Sequence, residues 1–167
     1  RGGPCQTGVR GSIRVCGSSV TEKYLTSETL TLVNGWFTTG DFGYQDEKGY
    51  LYLEGRESDL INVAGRKVSP IELETILSQL PSVEDVACVG MADPKGISGE
   101  VVKVFLVPKS QGYDVLRRPT RSDLVAYLRN KVEPYKIPFE FEWIERLPKT
   151  SSGKIQRQLL RKMSEEL

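Results

Sequence analysis

The chain has 167 residues, a net charge of +1 from 23 basic and 22 acidic side chains, and 38% apolar residues. It is long enough for one domain, or for a small domain with part of a neighbour, and its balanced charge gives no reason to expect a nucleic-acid or membrane partner. It contains no histidine, which excludes Ser-His-Asp and Cys-His catalysis and His-ligated metal sites.

In chain order, residues 1–58 read as β structure. Gly11 to Val15 alternates, and Trp36-Phe37-Thr38-Thr39 leads into Gly40-Asp41. Asp46-Glu47-Lys48-Gly49 is a turn signal, and Tyr50 to Leu53 follows as an aromatic-rich strand, so the pair predicts a hairpin. No helical period is visible here, and strands alone give a thin core. After Arg56 the pattern changes. Ser69-Pro70-Ile71-Glu72 predicts a helix start with Ser69 as cap, Pro70 in the first turn and Glu72 closing a capping box. Leu73, Ile76, Leu77 and Leu80 share its apolar face, and Pro81 stops it.

Val83 to Met91 and Val101 to Val107 read as strands, the second apolar enough to be central. Residues 108–119 predict a loop. Thr120 and Asp123 can cap a second helix with Leu124, Val125, Leu128 and Val132 on one face. Phe139 to Ile144 predicts a half-exposed strand, and Gln156 to Glu166 a last helix packed through Leu159, Leu160 and Met163. The fold class is therefore α/β (α+β): a small domain with a short mixed sheet flanked by helices, preceded by a β-rich segment.

The cysteines, Cys5, Cys16 and Cys88, are odd in number and widely spaced, so neither a disulfide framework nor a zinc site is expected. Cys88 reads as a small buried hydrophobe. Reduced thiols point to a cytoplasmic setting. The longest apolar run, between Asp85 and Asp93, is too short for a transmembrane span. The start, Arg-Gly-Gly-Pro, has neither a signal peptide nor an initiator Met, and a piece of a longer chain is expected.

Three segments could carry chemistry, each with an ordinary alternative. In Thr39-Gly40-Asp41 the carboxylate could accept from sugar hydroxyls, or serve a turn. Gly55-Arg56 to Glu74 reads as a flexible joint and tight loop, or as a plain loop and helix start. In Leu147-Pro148-Lys149-Thr150-Ser151-Ser152-Gly153-Lys154-Ile155 a lysine ammonium could be delivered to a phosphate, or the segment could open a solvated basic tail. It is not a Walker A loop, because Lys154 is followed by Ile and no Gly stands five residues before Gly153. Basic residues without interleaved aromatics are a poor nucleic-acid signal.

Together and in this order, Gly35-Trp36-Phe37-Thr38-Thr39-Gly40-Asp41, Gly55-Arg56-Glu57-Ser58-Asp59-Leu60-Ile61, Gly65-Arg66-Lys67-Val68-Ser69-Pro70-Ile71-Glu72-Leu73-Glu74 and Leu147 to Arg157 resemble the adenylate-forming superfamily. That superfamily includes acyl-CoA synthetases, luciferases and peptide-synthetase adenylation domains. The Lys-Val-Ser-Pro-Ile-Glu wording and Gly99-Glu100-Val101-Val102-Lys103 resemble the acyl-CoA ligases. The family's upstream phosphate-binding loop and its aromatic-Gly-x-Thr-Glu motif are not in this chain.

The resemblance implies a carboxyl-terminal portion of an ATP-dependent, AMP-forming acid-thiol ligase. Residues 1–58 would be the end of the large amino-terminal domain, and 59–167 a mobile small domain. The resemblance casts Lys154 as the catalytic lysine of adenylation, Asp41 as the acid holding the ribose hydroxyls of ATP, with Arg56 near the same ribose, and Asp59 as the hinge. Gly65 would line the pantetheine tunnel of CoA, with Arg66 and Lys67 beside it. ATP and Mg would be bound mainly by the absent amino-terminal part, with a small carboxylic acid and CoA as the other substrates, and no metal ligand is expected in this chain. The alternative is a non-catalytic module that docks a carrier protein or serves assembly.

Overall fold

The computed structural model describes residues 3–21, 32–109 and 118–165. Most of the predicted 108–119 loop, and Glu166 of the last predicted helix, lie outside the described residues. The chain divides into two compact units, Arg1–Ser58 and Asp59–Leu167.

The first unit is an antiparallel sheet built on one long strand. Strands β1 (Gly11–Val15), β2 (Leu32–Val33), β3 (Trp36–Gln45) and β4 (Leu51–Arg56) all pair through β3. Phe42 faces Ser12 on one side and Gly55 on the other, whereas Phe37 faces Val15 and Leu32. Strands β2 and β4 therefore share one edge of β3 end to end, with β1 on the other. The Asp46 carboxylate accepts the Lys48 and Tyr50 amides at 2.9 and 2.8 Å and closes the predicted hairpin turn. Gly43 is required by close approach, since a Cβ there would stand 2.2 Å from the Tyr52 carbonyl oxygen.

Among its described residues this unit buries no large hydrophobic side chain, and Trp36, Tyr50, Leu51, Tyr52 and Leu53 are all exposed. A sheet whose large apolar side chains stay exposed excludes little water by itself.

The second unit holds the core. A 3₁₀ turn, Glu57–Asp59, leads into the hairpin β5 (Ile61–Val63) and β6 (Arg66–Val68). Helix α1 (Pro70–Leu77), strands β7 (Val83–Ala92) and β8 (Glu100–Pro108), helix α2 (Arg121–Arg129), strand β9 (Glu140–Trp143) and helix α3 (Arg157–Glu165) follow. The sheet order is β7-β8-β9, with β7 antiparallel and β9 parallel to β8, so the sheet is mixed. Alternation along β7 and β8 builds two cores. Val86, Cys88, Val102, Val104 and Leu106 pack with Ile61, Val68, Leu73, Leu77, Leu124 and Leu128 on one face. Ala87, Val89, Phe105 and Val107 pack with Leu147 and Leu160 on the other. No helix among the described residues is long and apolar enough to cross a membrane.

Of the local expectations about helix caps and faces, one is met and two are corrected. Ser69 stands at the amino end of α1 but its side chain makes no capping hydrogen bond, and Glu72 turns to the buried Lys136, 2.8 Å from both carboxylate oxygens, and not back to close a box. The capping box forms on α2, where Asp123 accepts from the Thr120 amide at 2.9 Å. On α3, Leu159 and Met163 are exposed while Leu160 and Ser164 are buried.

Candidate functional site

In the first unit, β3 and β4 place Asp41 opposite Arg56. Arg56 Nε lies 3.0 Å from Asp41 Oδ1, and a second guanidinium nitrogen donates to the Thr39 carbonyl at 3.1 Å. The Thr39 hydroxyl accepts the Asp41 amide at 3.1 Å and donates to the Ile13 carbonyl. The two residues expected at the ribose are thus brought together. About a third of the Asp41 side chain is exposed, which leaves it open to further hydrogen-bond donors.

In the second unit, Lys154 closes a small hairpin. Lys149 and Ile155 form an antiparallel bridge, the Thr150 amide donates to the Lys154 carbonyl at 2.8 Å, and the Lys154 amide donates to the Thr150 hydroxyl at 3.1 Å. The Gly153 amide reaches the Thr150 carbonyl at 2.9 Å, and Gly153 sits at φ 83°. A tight turn followed by a left-handed residue is the usual three-residue hairpin loop, and that last position favours Gly. Lys149 pairs with Asp85, and Ile155 packs on the Phe105 face of the sheet. Lys154 is exposed, and among the described residues its ammonium has no ion-pair partner. A braced backbone thus presents an exposed ammonium.

Arg157, three residues on, is the reverse. Its guanidinium grips both oxygens of Glu74 at 2.5 and 3.0 Å, donates to the Cys88 carbonyl at 3.0 Å, and lies 3.4 Å from Asp59. Burial alone would lower its pKa, but the Glu74 and Asp59 carboxylates outweigh that and raise it. Glu74 also accepts the Cys88 amide at 2.7 Å. Burial pushes the Cys88 thiol well above its ordinary range, so it is inert. The expected hinge residue, Asp59, is therefore tied to the start of α3, three residues after Lys154.

Gly65 occupies the tip of the β5–β6 hairpin. Ala64 and Gly65 have φ of 50° and 81°, both positive, as the two-residue turn of that hairpin requires. A Cβ built on Gly65 meets nothing within 4 Å. Arg66 lies over the Tyr135 ring at 4.8 Å, and Lys67 follows on β6.

Sequence reasoning did not single out Arg157, Glu74, Asp93 or Glu100. Arg157 was hidden in a run that read as a solvated basic tail, yet Lys149 and Arg157 both have carboxylate partners in distant elements. Among the described residues no three His, Cys, Asp or Glu side chains converge on one point.

Residues 72–154 match the family described as AMP-binding enzyme C-terminal domain. A 2-succinylbenzoate–CoA ligase of Listeria innocua is 40% identical over 156 residues, covering 90% of this chain and 31% of the relative. The ligase of the same name from Staphylococcus aureus is 37% identical over 152 residues, covering 90% and 29%. Among solved structures, o-succinylbenzoate CoA synthetase of Bacillus subtilis, in complex with an acyl-adenylate intermediate, is 33% identical with a TM-score of 0.82, covering 94% of this chain and 31% of that one. The amide bond synthetase of Marinactinospora thermotolerans is 29% identical with the same score, covering 97% and 32%. The chain spans less than a third of the length of these relatives.

Proposed function

Since the chain belongs to the AMP-binding enzymes, whose C-terminal domain family residues 72–154 match, we propose that it is the carboxyl-terminal portion of an ATP-dependent acyl-CoA synthetase. The observation that carries this reading is Lys154: a lysine without an ion-pair partner among the described residues, on a backbone loop braced at both ends.

In the first half-reaction a carboxylate oxygen attacks the α-phosphorus of ATP, and the bond to pyrophosphate breaks. Two anions must meet, so a placed cation lowers the barrier. Lys154 donates hydrogen bonds to the incoming carboxylate and to the α-phosphate. Asp41 accepts from the ribose hydroxyls, and Arg56 holds the carboxylate toward them. In the second half the CoA thiol attacks the acyl carbonyl and AMP leaves. Gly65 keeps side-chain bulk off the path of the pantetheine arm, and Arg66 and Lys67 supply positive charge beside it.

The small domain turns about Asp59 between the halves. The two loops are anchored in different cores, Lys154 through Ile155 on the Phe105 face and Gly65 through Ile61 and Val68 on the Val104 face. That placement supports a two-step use of one domain.

The test uses the full-length enzyme. Lys154→Ala should lower ATP–pyrophosphate exchange by about 10²–10³-fold, the cost of one donor to developing charge. It should spare thioester formation from presynthesised acyl-adenylate and CoA. Gly65→Asn keeps a residue that tolerates positive φ but adds bulk, so it should slow only the second half. Equal loss of the same half in both variants defeats the reading.

A further inference from the structure

In a hairpin closed by two residues, Val63 and Arg66 exchange their hydrogen bonds, so the amides of Asn62 and Ala64 point away from β6. Both find acceptors in one segment. Glu100 Oε2 accepts the Asn62 amide at 2.7 Å, and the Ser98 carbonyl accepts the Ala64 amide at 2.8 Å. Between them Val63 and Gly99 form an antiparallel bridge. The receiving segment is fixed from behind. The Asp93 carboxylate accepts the amides of Lys95, Ile97 and Ser98 at 2.9, 3.1 and 2.8 Å, and the Asp93 amide donates to the Gly99 carbonyl at 3.0 Å. Those hydrogen bonds, Lys95's first, lower the Asp93 pKa, so the carboxylate keeps its charge near neutrality.

The Glu100 carboxylate has room only because Gly90, on the neighbouring strand, lacks a side chain, since a Cβ there would stand 2.7 Å from Oε1. The strained Ala64, a non-glycine residue at positive φ, is thereby clamped on its outer edge.

We infer that Glu100 is a positioning residue for the Ala64–Gly65 turn, and that it serves thioester formation and not adenylation. The catalytic half of this inference rests on the proposed function. The physical half does not. A charged acceptor on a main-chain amide makes a short, strong hydrogen bond, and here it ties β5 to the start of β8.

The first measurement is amide hydrogen exchange in the 167-residue chain. Glu100→Ala should speed exchange at Asn62 and Ala64 by about tenfold or more, the loss of a hydrogen bond to a charged group. Val86 to Val89 should be unchanged, which separates a loosened turn from a failed fold. Glu100→Gln retains an acceptor oxygen and should recover most of the protection. The second measurement uses the full-length enzyme. There Glu100→Ala should raise the KM for CoA or slow the thioester step by about tenfold, with pyrophosphate exchange kept within about twofold, and Glu100→Gln should rescue it. Unchanged exchange at Asn62 and Ala64 overturns the inference. So does faster exchange with an intact CoA step, or with both half-reactions lowered alike. A wild-type enzyme that catalyses neither half overturns the proposed function and the catalytic half of this inference with it, and amide exchange still decides the clamp.

Discussion

Replacing Arg157 with alanine removes the only buried cation that joins α1, β7 and α3 among the described residues. The Arg157 and Glu74 side chains are each 14% exposed, so neither charge is well hydrated. After the change, Glu74 keeps the Cys88 amide as a partner, but the Cys88 carbonyl loses its donor and the carboxylate its counter-ion. Breaking a buried pair from one side costs about 3–5 kcal/mol, and the retained hydrogen bond places this case near the lower end, about 3 kcal/mol. For a unit of this size that lowers the Tm by about 12 °C.

Urea titration followed by Trp143 fluorescence, in a Trp36→Phe background, reads the second unit alone, because the only two tryptophans fall one in each unit. Arg157→Ala combined with Glu74→Gln should cost less than the sum of the single changes, since the neutral amide leaves no unpaired charge. A loss below about 1 kcal/mol, the size of an exposed ion pair, would refute the view of Arg157 as a buried tie.

Two further outcomes follow from packing and charge. Lys103, 1% exposed, lies 3.1 and 2.8 Å from Glu140 and Glu142; burial lowers its pKa, but these carboxylates, Glu142 first, outweigh that and raise it. A raised lysine stabilises the fold fully below the unfolded pKa of about 10.4 and loses that contribution as pH climbs through the folded value, so urea melts above pH 10 should show a fall in stability that Lys103→Met lessens, the remainder coming from Lys136, which is raised in the same way. Gly43→Ala should destabilise the first unit by about 2–3 kcal/mol, because the obstructing atom belongs to the main chain and cannot swing aside; a thermal melt read by Trp36 fluorescence checks it.

The strands of the second unit were legible because the chemistry of each is local. Val83 to Met91 and Val101 to Val107 are apolar runs, and the structure makes them β7 and β8, with β8 the central strand. The Thr120–Asp123 box was legible for the same reason, its partners being three residues apart. The box at Ser69 was not, since Glu72 has a stronger partner 64 residues away. On α3 the apolar residues Leu159, Leu160 and Met163 were all expected to pack, whereas only Leu160 does, with Ser164 beside it, while Arg157 at the start of the helix is held by Glu74.

The Asn34-Gly35 turn, with φ of 52° and 79°, carried a hairpin signal that went unread. Ala64 at positive φ carried none, because alanine has no preference for that region. For the candidate site, Asp41, Arg56, Asp59, Gly65 and Lys154 stood out by motif. The residues that hold them, Arg157 and Glu100, did not, since their partners lie 83 and 38 residues away.

Those separations bear on how the polypeptide is made. Glu74 and the Cys88 carbonyl wait for a guanidinium that is synthesised 83 and 69 residues later. Loops that long close slowly, so docking of α3 is expected to be the last event of folding. Lys154 lies between the nascent sheet and that late anchor. A growing chain on the ribosome can hold β7 and β8 together well before α3 can dock, so the hairpin that presents Lys154 gains its second anchor only after translation has passed Arg157.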